Sequence, residues 1–348
     1  MKAKYIEAKL GRTNLVVHKD GFGALPIQRA NFEDSGALLA RALDGGINFI
    51  DTARAYSDSE EKIGRYISGR RQEYILATKT VALKAADFWK DIETSLGLLK
   101  TDHIDIYQFH NLPFAPKPGD ESGLYDAALE AQKKGMIRFI GITNHRLPVA
   151  KEAVESGLYD TLQFPFSYLS SEKDIELVQL CAEKNVGFIA MKALSGGLLQ
   201  DIGAARAWLA QYPNVVPIYG IQKMSELEQL IELMEATGDT VPQISPAQKA
   251  IIERDRKELI GNFCRACAYC MPCSVGIQLN WACRMDACLK RMPLPGLMTE
   301  YWLQEMNKIK DCTQCGLCKT RCPYGLDIPN IIPRNYRIYM EEYRRFHG

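Results

Sequence analysis

Short apolar runs alternate with amphipathic stretches over most of the chain, and the runs have the length and composition of buried β-strands. The stretches between them carry apolar residues at helical spacing, as Ile92, Leu96 and Leu99 do. Ser225 and Glu228 predict a capping box at the start of the last of these helices. The strand-like runs are Gly21 to Ile27, Phe49 to Asp51, Tyr74 to Thr78, Ile104 to His110, Phe139 to Thr143, Thr161 to Phe164, Gly187 to Met191 and Val215 to Gly220.

Eight such runs, each followed by a helical stretch, predict a particular α/β architecture. Over residues 1–240 this arrangement is typical of a (β/α)8 TIM barrel. An open, doubly wound sheet would show the same alternation. However, no Gly-x-Gly-x-x-Gly motif follows a first strand, so the pattern favours the barrel.

The chain changes character close to residue 245. Thr240 to Pro246 forms a polar linker that contains proline, and Ala247 to Ile260 is predicted to be a helix leading into a cysteine-rich segment. A chain of 348 residues also exceeds the ~250–300 residues that one hydrophobic core usually serves. We therefore predict a barrel domain at residues 1–245 and a small, mainly helical domain at residues 246–348.

Net charge, apolar runs and cysteine content limit the classes of function that this chain could have. With 43 basic and 42 acidic side chains, the net charge of +1 gives no electrostatic case for binding nucleic acid or an anionic membrane. No apolar run approaches the ~20 residues of a membrane span, and Met1 to Glu7 has no apolar signal core, so we expect a cytoplasmic protein. In that compartment, eleven cysteines are expected to serve metal or redox chemistry and not disulfides.

Eight of the cysteines form two short runs. The first has the spacing C-x2-C-x2-C-x2-C, and the second has C-x2-C-x2-C-x3-C followed by Pro323. The second run is the bacterial iron–sulfur signature, in which three thiolates hold one cubane and the fourth is directed to another cluster. Two zinc sites are the alternative, although zinc ribbons usually use separated C-x2-C pairs. We predict two 4Fe-4S clusters in a dicluster ferredoxin-like domain, one held by Cys264, Cys267, Cys270 and Cys322 and the other by Cys312, Cys315, Cys318 and Cys273.

An internal repeat supports this crossed pairing. The segments CAYCMPC-SVGIQL and CGLCKTRCPYGLDI align through Gly276 and Gly325. Cys283 and Cys288 stand outside both runs and are predicted to be helix-packing residues. Cys181 lies on an apolar helix face and is predicted to belong to the barrel core.

Four ionisable residues lie at, or just past, the carboxyl ends of three consecutive predicted strands. They are Asp51 and Tyr56 in DTARAY, Lys79 in ATK, and His110 in DIYQFH. Taken singly, each has an ordinary structural explanation: a helix cap, a packing aromatic, a surface cation and a core histidine. Barrel enzymes, however, place their active sites at this end of the strands, so together the four residues predict a catalytic site.

These motifs resemble those of the aldo-keto reductase family over nearly the whole of residues 1–240. The resemblance rests on DTARAY before SDSEEKIG, GITN at Gly141 to Asn144, TLQF around Gln163, and the opening LGRTNL at Leu10 to Leu15. The added cysteine domain makes the chain similar to the iron–sulfur subgroup of that family. The resemblance implies hydride transfer between NAD(H) or NADP(H) and a small carbonyl or alcohol substrate.

The resemblance also implies roles for the four residues. Tyr56 would be the general acid that protonates the carbonyl oxygen. A free phenol has a pKa of ~10, so we expect the positive charge of Lys79 to lower the pKa of Tyr56. Asp51 would hold Lys79, and His110 would orient the carbonyl by hydrogen bonding to its oxygen.

A second set of residues would hold the nicotinamide. By the resemblance, Thr143, Asn144 and Gln163 would bind its carboxamide. Where many members stack an aromatic residue on the ring, this chain has Met191, whose thioether packs less rigidly.

Further departures from the family concern the remainder of the dinucleotide. The last strand reads Ile-Tyr-Gly, ending at Gly220, where Ile-Pro-Gly is expected. Glu226 lies about where NADP-using members place an arginine for the 2'-phosphate. The loop Leu194 to Asp201 is short, so we expect no clasp over the dinucleotide.

The leading hypothesis is an iron–sulfur oxidoreductase that couples carbonyl or alcohol chemistry in the barrel to electron transfer through the clusters. A hydride carries two electrons and each cluster carries one, so a flavin, a radical step, or a ferredoxin-like or flavoprotein partner would be needed to connect them. Two alternatives stay open. One is an electron-transfer or redox-sensing protein whose barrel only binds a nucleotide, and the other is a reductase whose clusters are purely structural.

Overall fold

A small antiparallel hairpin precedes the main sheet and was not predicted from the sequence. The computed structural model describes residues 4–259, 264–292 and 294–348. Strands β1 (Glu7–Lys9) and β2 (Val16–His18) pair antiparallel, and the LGRTNL motif lies at the turn between them. Val17 packs with Phe49 and other strand residues in one apolar cluster, so the hairpin closes the amino-terminal end of the sheet that follows.

The predicted barrel is confirmed. Within the described residues, eight parallel strands close into a ring in chain order, and the last strand pairs with the first. Because barrel strands are covered on both faces, most of their residues are buried, which explains their nearly continuous apolar sequences. The strands are β3 (Gly21–Gly23), β4 (Phe49–Asp51), β5 (Ile75–Thr80), β6 (Ile104–His110), β7 (Ile137–Thr143), β8 (Thr161–Pro165), β9 (Gly187–Met191) and β10 (Val215–Gly220).

Each barrel strand in the described residues is followed by one α-helix, and short 3-10 helices lie at Pro26–Arg29 and Ser68–Glu73. None of the helices in the described part of the chain combines the length and apolar character needed to cross a membrane. The helices that follow the strands are α1 (Phe32–Asp44), α2 (Ser59–Tyr66), α3 (Ala85–Leu99), α4 (Leu124–Lys133), α5 (Leu147–Glu155), α6 (Glu172–Glu183), α7 (Ile202–Ala210) and α8 (Met224–Thr237).

The capping box predicted at the start of α8 is wrong. Lys223 occupies the N-cap position and Ser225 lies inside the first turn. The carboxylate of Glu226 caps the helix by accepting hydrogen bonds from backbone N–H groups that precede it. Glu228 instead forms two hydrogen bonds with Arg41, each 2.8 Å long.

The chain divides into two compact units. One comprises the barrel residues up to Ala193 and Ala205–Ile244, and the other comprises Leu194–Ala204 together with Ser245–Gly348. The predicted division lies after residue 245, with Leu194–Ala204 in the barrel domain. In the structure, Leu198 is fully buried in the apolar core of the second unit.

The second unit is mainly helical, as predicted, with 3-10 helices at Leu294–Gly296 and Lys308–Asp311. The predicted helix from Ala247 is observed, while Ile260, its predicted last residue, lies outside the described residues. The α-helices are α9 (Pro246–Leu259), α10 (Leu279–Ala282), α11 (Met285–Arg291), α12 (Glu300–Asn307), α13 (Leu317–Arg321) and α14 (Ile328–His347).

Both cysteine runs of this unit end in the same kind of turn. The N–H of Gly276 bonds the carbonyl of Cys273 at 3.0 Å, and the N–H of Gly325 bonds that of Cys322 at 3.2 Å. The two glycines have φ of 75° and 64°, a left-handed conformation that favours glycine. The sequence repeat is therefore also a repeat of backbone structure.

Candidate active site and cysteine centres

The four predicted catalytic residues meet at the carboxyl-terminal rim of the barrel. Asp51 ends β4, Lys79 lies next to the last residue of β5, and His110 ends β6. Tyr56 lies in the turn between β4 and α2. Because these three strands are parallel neighbours, their carboxyl ends bring the four side chains together.

Asp51 and Lys79 form a buried ion pair. The Lys79 ammonium donates to both carboxylate oxygens of Asp51 at 2.7 Å and to the carbonyl of Thr52 at 2.6 Å. Burial raises the pKa of Asp51 and lowers the pKa of Lys79, while the attraction between the two charges opposes both shifts. Each residue therefore needs the other, since removing one would leave an uncompensated buried charge.

Tyr56 lies between this pair and the histidine. The Lys79 ammonium is 5.3 Å from the centroid of the Tyr56 ring. The centroid of the His110 ring is 5.8 Å from that of Tyr56, and the two ring planes meet at 82°. The phenol, the cation and the imidazole thus share one side of the rim.

The pKa of Tyr56 is shifted in the direction opposite to our prediction. Burial is the main cause, and the negative charge of Asp51 is the second; both raise the pKa of Tyr56. The expected lowering by Lys79 fails because Asp51 compensates the charge of the ammonium. The phenol therefore keeps its proton at neutral pH, as a general acid must.

His110 is held in its neutral form. Burial, and then the positive charge of Lys79, lower the pKa of His110 to about 3. Its Nδ1 atom is buried and has no hydrogen-bond partner in the described part of the chain. A neutral imidazole at this rim can donate one hydrogen bond to a carbonyl oxygen across the whole neutral pH range.

Gln163 joins the same group of residues. Its Nε2 lies 3.4 Å from Asp51 Oδ2, and its buried Oε1 has no partner among the described residues. A buried amide oxygen without a donor fits the carboxamide N–H of a nicotinamide. This unpaired atom is the feature of the barrel that best fits the predicted cofactor.

The other predicted nicotinamide residues are placed differently. The hydroxyl of Thr143 lies 3.9 Å from the sulfur of Met191, which is half-buried. The side chain of Asn144 donates to the carbonyl of Leu112 and accepts from the N–H of Arg146, each at 2.8 Å. Both ends of the Asn144 amide are therefore already engaged with the backbone.

Gly220 and Glu226 lie at the end of β10 and the start of α8. Glu226 Oε2 accepts hydrogen bonds from the backbone N–H groups of Gln222 and Lys223, at 2.8 and 3.0 Å. A Cβ atom on Gly220 would lie 3.0 Å from the side chain of Pro26. The backbone contacts of Glu226 fix its carboxylate at the first turn of α8.

Gln108 also lies at this site and was not predicted from the sequence. Its Nε2 lies 3.3 Å from Asp51 Oδ1, so Gln108 and Gln163 contact the carboxylate from two strands. The signal was present in the sequence. Gln108 is two residues before His110, and side chains two apart on a strand share a face.

Glu60 was also missed, although it lies in the first turn of α2. It is buried and accepts hydrogen bonds from the hydroxyls of Thr78 and Ser95, at 2.7 and 2.8 Å. Its other carboxylate oxygen pairs with Arg54, inside the DTARAY motif. This pairing fixes the segment that carries Tyr56.

The cysteines predicted to hold the first cluster lie near one another. Burial, and then the charges of Cys264 and Cys322, raise the pKa of Cys267 to about 11. Burial and the same two cysteines, with Cys267, raise the pKa of Cys270 to about 12. Thiolates this close disfavour one another unless a positive charge binds among them, which fits an iron cluster.

The cysteines predicted for the second cluster face one cavity. Cys273 lines it together with Cys312, Cys315 and Cys318, and Cys270 also contributes. Cys315 is exposed, whereas Cys270 is buried. In the described part of the chain, no three Cys, His, Asp or Glu side chains converge closely enough to hold a single metal ion.

Two further contacts connect the cysteine runs. The guanidinium of Arg321 donates to the carbonyl of Pro272 at 3.1 Å. The guanidinium of Arg265 lies 4.3 Å from the centroid of the Tyr324 ring. Each contact brings the end of the second run against the first run, which supports a crossed ligand pattern.

The three cysteines outside the runs are buried, and one of them has an additional contact. Burial raises the pKa of Cys181, in the barrel, to about 12. Cys288 lies in the core of the second unit, where packing was predicted. Cys283 lies there too, and hydrogen bonding with Cys264, followed by burial, raises the pKa of Cys283.

Comparison with protein families identifies two matches along the chain. Residues 21–204 match the model described as the aldo/keto reductase family. Residues 263–327 match the model described as a 4Fe-4S dicluster domain. The first match spans more than half of the chain, and the second covers both cysteine runs.

Known proteins show the same similarity. The chain is 27% identical over 262 residues to the uncharacterized oxidoreductase YqkF of Bacillus subtilis, covering 70% of this chain and 80% of that protein. It is 30% identical over 213 residues to L-galactose dehydrogenase of Arabidopsis thaliana, covering 56% and 67%.

Solved structures share the fold at lower identity. The holo form of aldo-keto reductase AKR11C1 from Bacillus halodurans has a TM-score of 0.62 at 22% identity, covering 72% of this chain and 96% of that one. An aldo-keto reductase from Klebsiella pneumoniae in complex with NADPH has a TM-score of 0.60 at 22% identity, covering 73% and 95%.

Proposed function

This chain belongs to the aldo/keto reductase family and carries a 4Fe-4S dicluster domain; from that premise we propose that it couples carbonyl and alcohol redox chemistry in the barrel to electron transfer through two clusters. The observation that carries the proposal is the buried Asp51–Lys79 pair beside Tyr56. A barrel that only bound a nucleotide would have no need of a buried ion pair beside a protonated phenol.

Each residue at the rim has its own proposed role in carbonyl reduction. A bound nicotinamide would supply the hydride to the carbonyl carbon. Tyr56 gives its phenolic proton to the carbonyl oxygen, and its raised pKa keeps that proton in place until charge develops on the oxygen. Neutral His110 donates a hydrogen bond to the same oxygen and so orients the substrate. The buried ion pair of Asp51 and Lys79 lies beside the Tyr56 ring and holds it in position.

Gln163 is the proposed contact to the nicotinamide, because its buried Oε1 is free to accept a carboxamide N–H. Thr143 and Met191 would border the ring, and Gly220 and Glu226 would border the adenosine end. Asn144 would contribute only by supporting the backbone. NAD(H) or NADP(H) is the proposed cofactor.

The cysteine domain is proposed to hold two 4Fe-4S clusters, each of which carries one electron. Cys264, Cys267, Cys270 and Cys322 would hold the first cluster, and Cys312, Cys315, Cys318 and Cys273 the second. Because a hydride carries two electrons, a ferredoxin-like or flavoprotein partner, or a flavin, is proposed to connect the two chemistries.

An anaerobic visible spectrum tests the coupling. We expect NADH or NADPH, added to the full chain together with a flavin in a stopped-flow instrument, to reduce the clusters and weaken their broad visible absorption. Turnover of carbonyls with an unchanged cluster spectrum would contradict coupling and make the clusters structural. Cluster reduction without turnover of any carbonyl would instead favour an electron-transfer protein.

Glu226 leads to a prediction about cofactor choice. A carboxylate repels an adenosine 2'-phosphate but accepts a hydrogen bond from a ribose 2'-hydroxyl. We therefore expect NADH to bind at least as tightly as NADPH in titration calorimetry. Glu226→Gln should improve NADPH binding relative to NADH, whereas Glu232→Gln, at an exposed position further along α8, should change neither. Tighter binding of NADPH that is weakened by Lys223→Ala would contradict this assignment.

A further inference from the structure

Gln108 is a buried amide in the barrel that has no part in the roles proposed for carbonyl reduction. It lies in β6, two residues before His110, and its exposed fraction is 0%. Its Nε2 donates to Asp51 Oδ1 at 3.3 Å, and its buried Oε1 has no partner among the described residues. An apolar side chain of similar size would avoid the unpaired buried oxygen, so packing alone does not explain an amide at this position.

The neighbouring strands confine the side chain of Gln108. It pairs in register with Lys79 on β5 and with Gly141 on β7. A Cβ atom on Gly141 would lie 2.8 Å from Gln108 Cγ and 2.5 Å from the hydroxyl oxygen of Thr161. A residue without a side chain is therefore needed at position 141, and the space that it leaves is filled by its two neighbours.

The donors around the Asp51 carboxylate are divided evenly between its two oxygens. Oδ1 accepts from Lys79 and Gln108, and Oδ2 accepts from Lys79 and Gln163. The Lys79 ammonium also donates to a backbone carbonyl, so all three of its N–H bonds are engaged. It therefore acts on the ring of Tyr56, 5.3 Å away, through its charge and its position. That position depends on where the carboxylate is held.

We propose that Gln108 is a positioning residue for carbonyl reduction: its amide holds the carboxylate of Asp51 and thereby fixes the ammonium of Lys79 beside the catalytic phenol. Gln163 holds the other carboxylate oxygen, but it is also the proposed contact to the nicotinamide. Gln108 would keep its contact to the carboxylate whether or not the dinucleotide is bound. The inference rests on the proposed function, because this geometry matters to the reaction only if Tyr56 transfers a proton.

Four variants of the full-length protein separate positioning from packing. Gln108→Met keeps the size of the side chain and removes its donor, and Gln163→Met does the same for the other amide. Gln108→Glu can still donate while its carboxyl group is protonated, and it loses that donor on ionisation. Thr161→Val is the matched control, because Thr161 is fully buried beside Gly141 and its hydroxyl has no partner among the described residues.

We expect the two amides to differ in what they control. With a carbonyl that the wild type reduces, Gln108→Met should lower kcat about threefold to tenfold, as the loss of one hydrogen bond to a buried charge does. Its dissociation constant for NADH or NADPH, from titration calorimetry, should stay that of the wild type. Gln163→Met should weaken binding of the dinucleotide, and Thr161→Val should change neither quantity. Loss of packing alone would not produce this division between kcat and cofactor binding.

Gln108→Glu adds a test that depends on pH. Burial and the charge of Asp51 should raise the pKa of the introduced carboxyl group, which donates only while it is protonated. The ratio of its kcat to that of Gln108→Met should therefore exceed one at low pH and fall as the pH rises. Lys79 and His110 lie nearby, so the wild type and Gln108→Met are measured at each pH to correct for their titration.

The same variant gives a measurement that needs neither cofactor nor substrate. Ionisation of the introduced carboxyl group beside Asp51 should destabilise the folded barrel. The midpoint of thermal unfolding of Gln108→Glu, relative to Gln108→Met and followed by circular dichroism, should therefore fall as the pH rises. An equal pH dependence of the two variants would show that position 108 does not face the charge of Asp51, and the proposal would fail.

Two kinetic results would also overturn the proposal. If Gln108→Met keeps the wild-type kcat, the amide does not position the ion pair. If Thr161→Val loses as much kcat as Gln108→Met, the packing of this layer accounts for the effect. Turnover by the wild type is read first: a wild type that reduces no carbonyl refutes the proposed function and this role with it, whereas an active wild type with an equally active Gln108→Met refutes only the role of Gln108.

Discussion

Replacing Tyr56 by phenylalanine is expected to lower carbonyl turnover by ~10²- to 10⁴-fold, the usual contribution of general acid catalysis. The phenol is the group at the rim that holds a transferable proton at neutral pH, because burial and Asp51 raise its pKa. Steady-state rates with a carbonyl that the wild type reduces provide the measurement. Iron content and cluster spectra should stay unchanged.

The matched control is Tyr66→Phe, which removes a phenolic oxygen from a half-buried residue at the end of α2. It should keep the wild-type rate. Lys79→Met should also lower carbonyl turnover, because it leaves the carboxylate of Asp51 buried without its cation. Full activity of the Tyr56 variant would show that proton delivery does not pass through this tyrosine.

Replacing Cys322 by serine is expected to remove a whole cluster, and the cluster lost should be the one further from Cys322 in sequence. The guanidinium of Arg321, next to Cys322, donates to the carbonyl of Pro272 in the first cysteine run, and the charge of Cys322 helps to raise the pKa of Cys267 and of Cys270. Iron per chain should fall to roughly half that of wild type, because each 4Fe-4S cluster contributes equally. Electron paramagnetic resonance of the reduced protein identifies the cluster that remains.

Cys273→Ser is the reciprocal variant and should remove the other cluster, since Cys273 lines a cavity with Cys312, Cys315 and Cys318. If each serine variant instead lost the cluster of its own run, the crossed pattern would be refuted. If protein made anaerobically with ample iron contained stoichiometric zinc and no iron, the prediction of iron–sulfur clusters would be refuted and zinc sites would be favoured.

The barrel and the position of its four rim residues could be predicted because they depend on short-range patterns. Each apolar run is long enough to identify a strand, and Asp51, Lys79 and His110 each lie at or next to the end of one. Parallel strands bring their ends to one rim, so position along the chain was sufficient. The side-chain hydrogen bonds of Lys79 then follow from its burial, because a buried ammonium is costly unless protein groups bond it.

Other features depend on neighbours that are distant in the sequence. The pKa of Tyr56 depends on how deeply the phenol is buried and on whether Asp51 compensates Lys79, and neither is visible in a motif. Gln108 was missed because an amide within an apolar strand resembles an ordinary buried polar residue. The hairpin of β1 and β2 was missed because three-residue strands give too little alternation to detect.

The membership of Leu194–Ala204 in the second unit has a consequence for the order of events during synthesis on the ribosome. This segment emerges between β9 and β10, yet Leu198 shares its core with residues as late as Tyr339. The barrel strands can therefore all have been translated while Leu198 still lacks its apolar partners. A nascent chain halted shortly after Ile244 would leave Leu198 without its core partners. We expect chaperones that recognise apolar segments to bind Leu194–Ala204 at that stage.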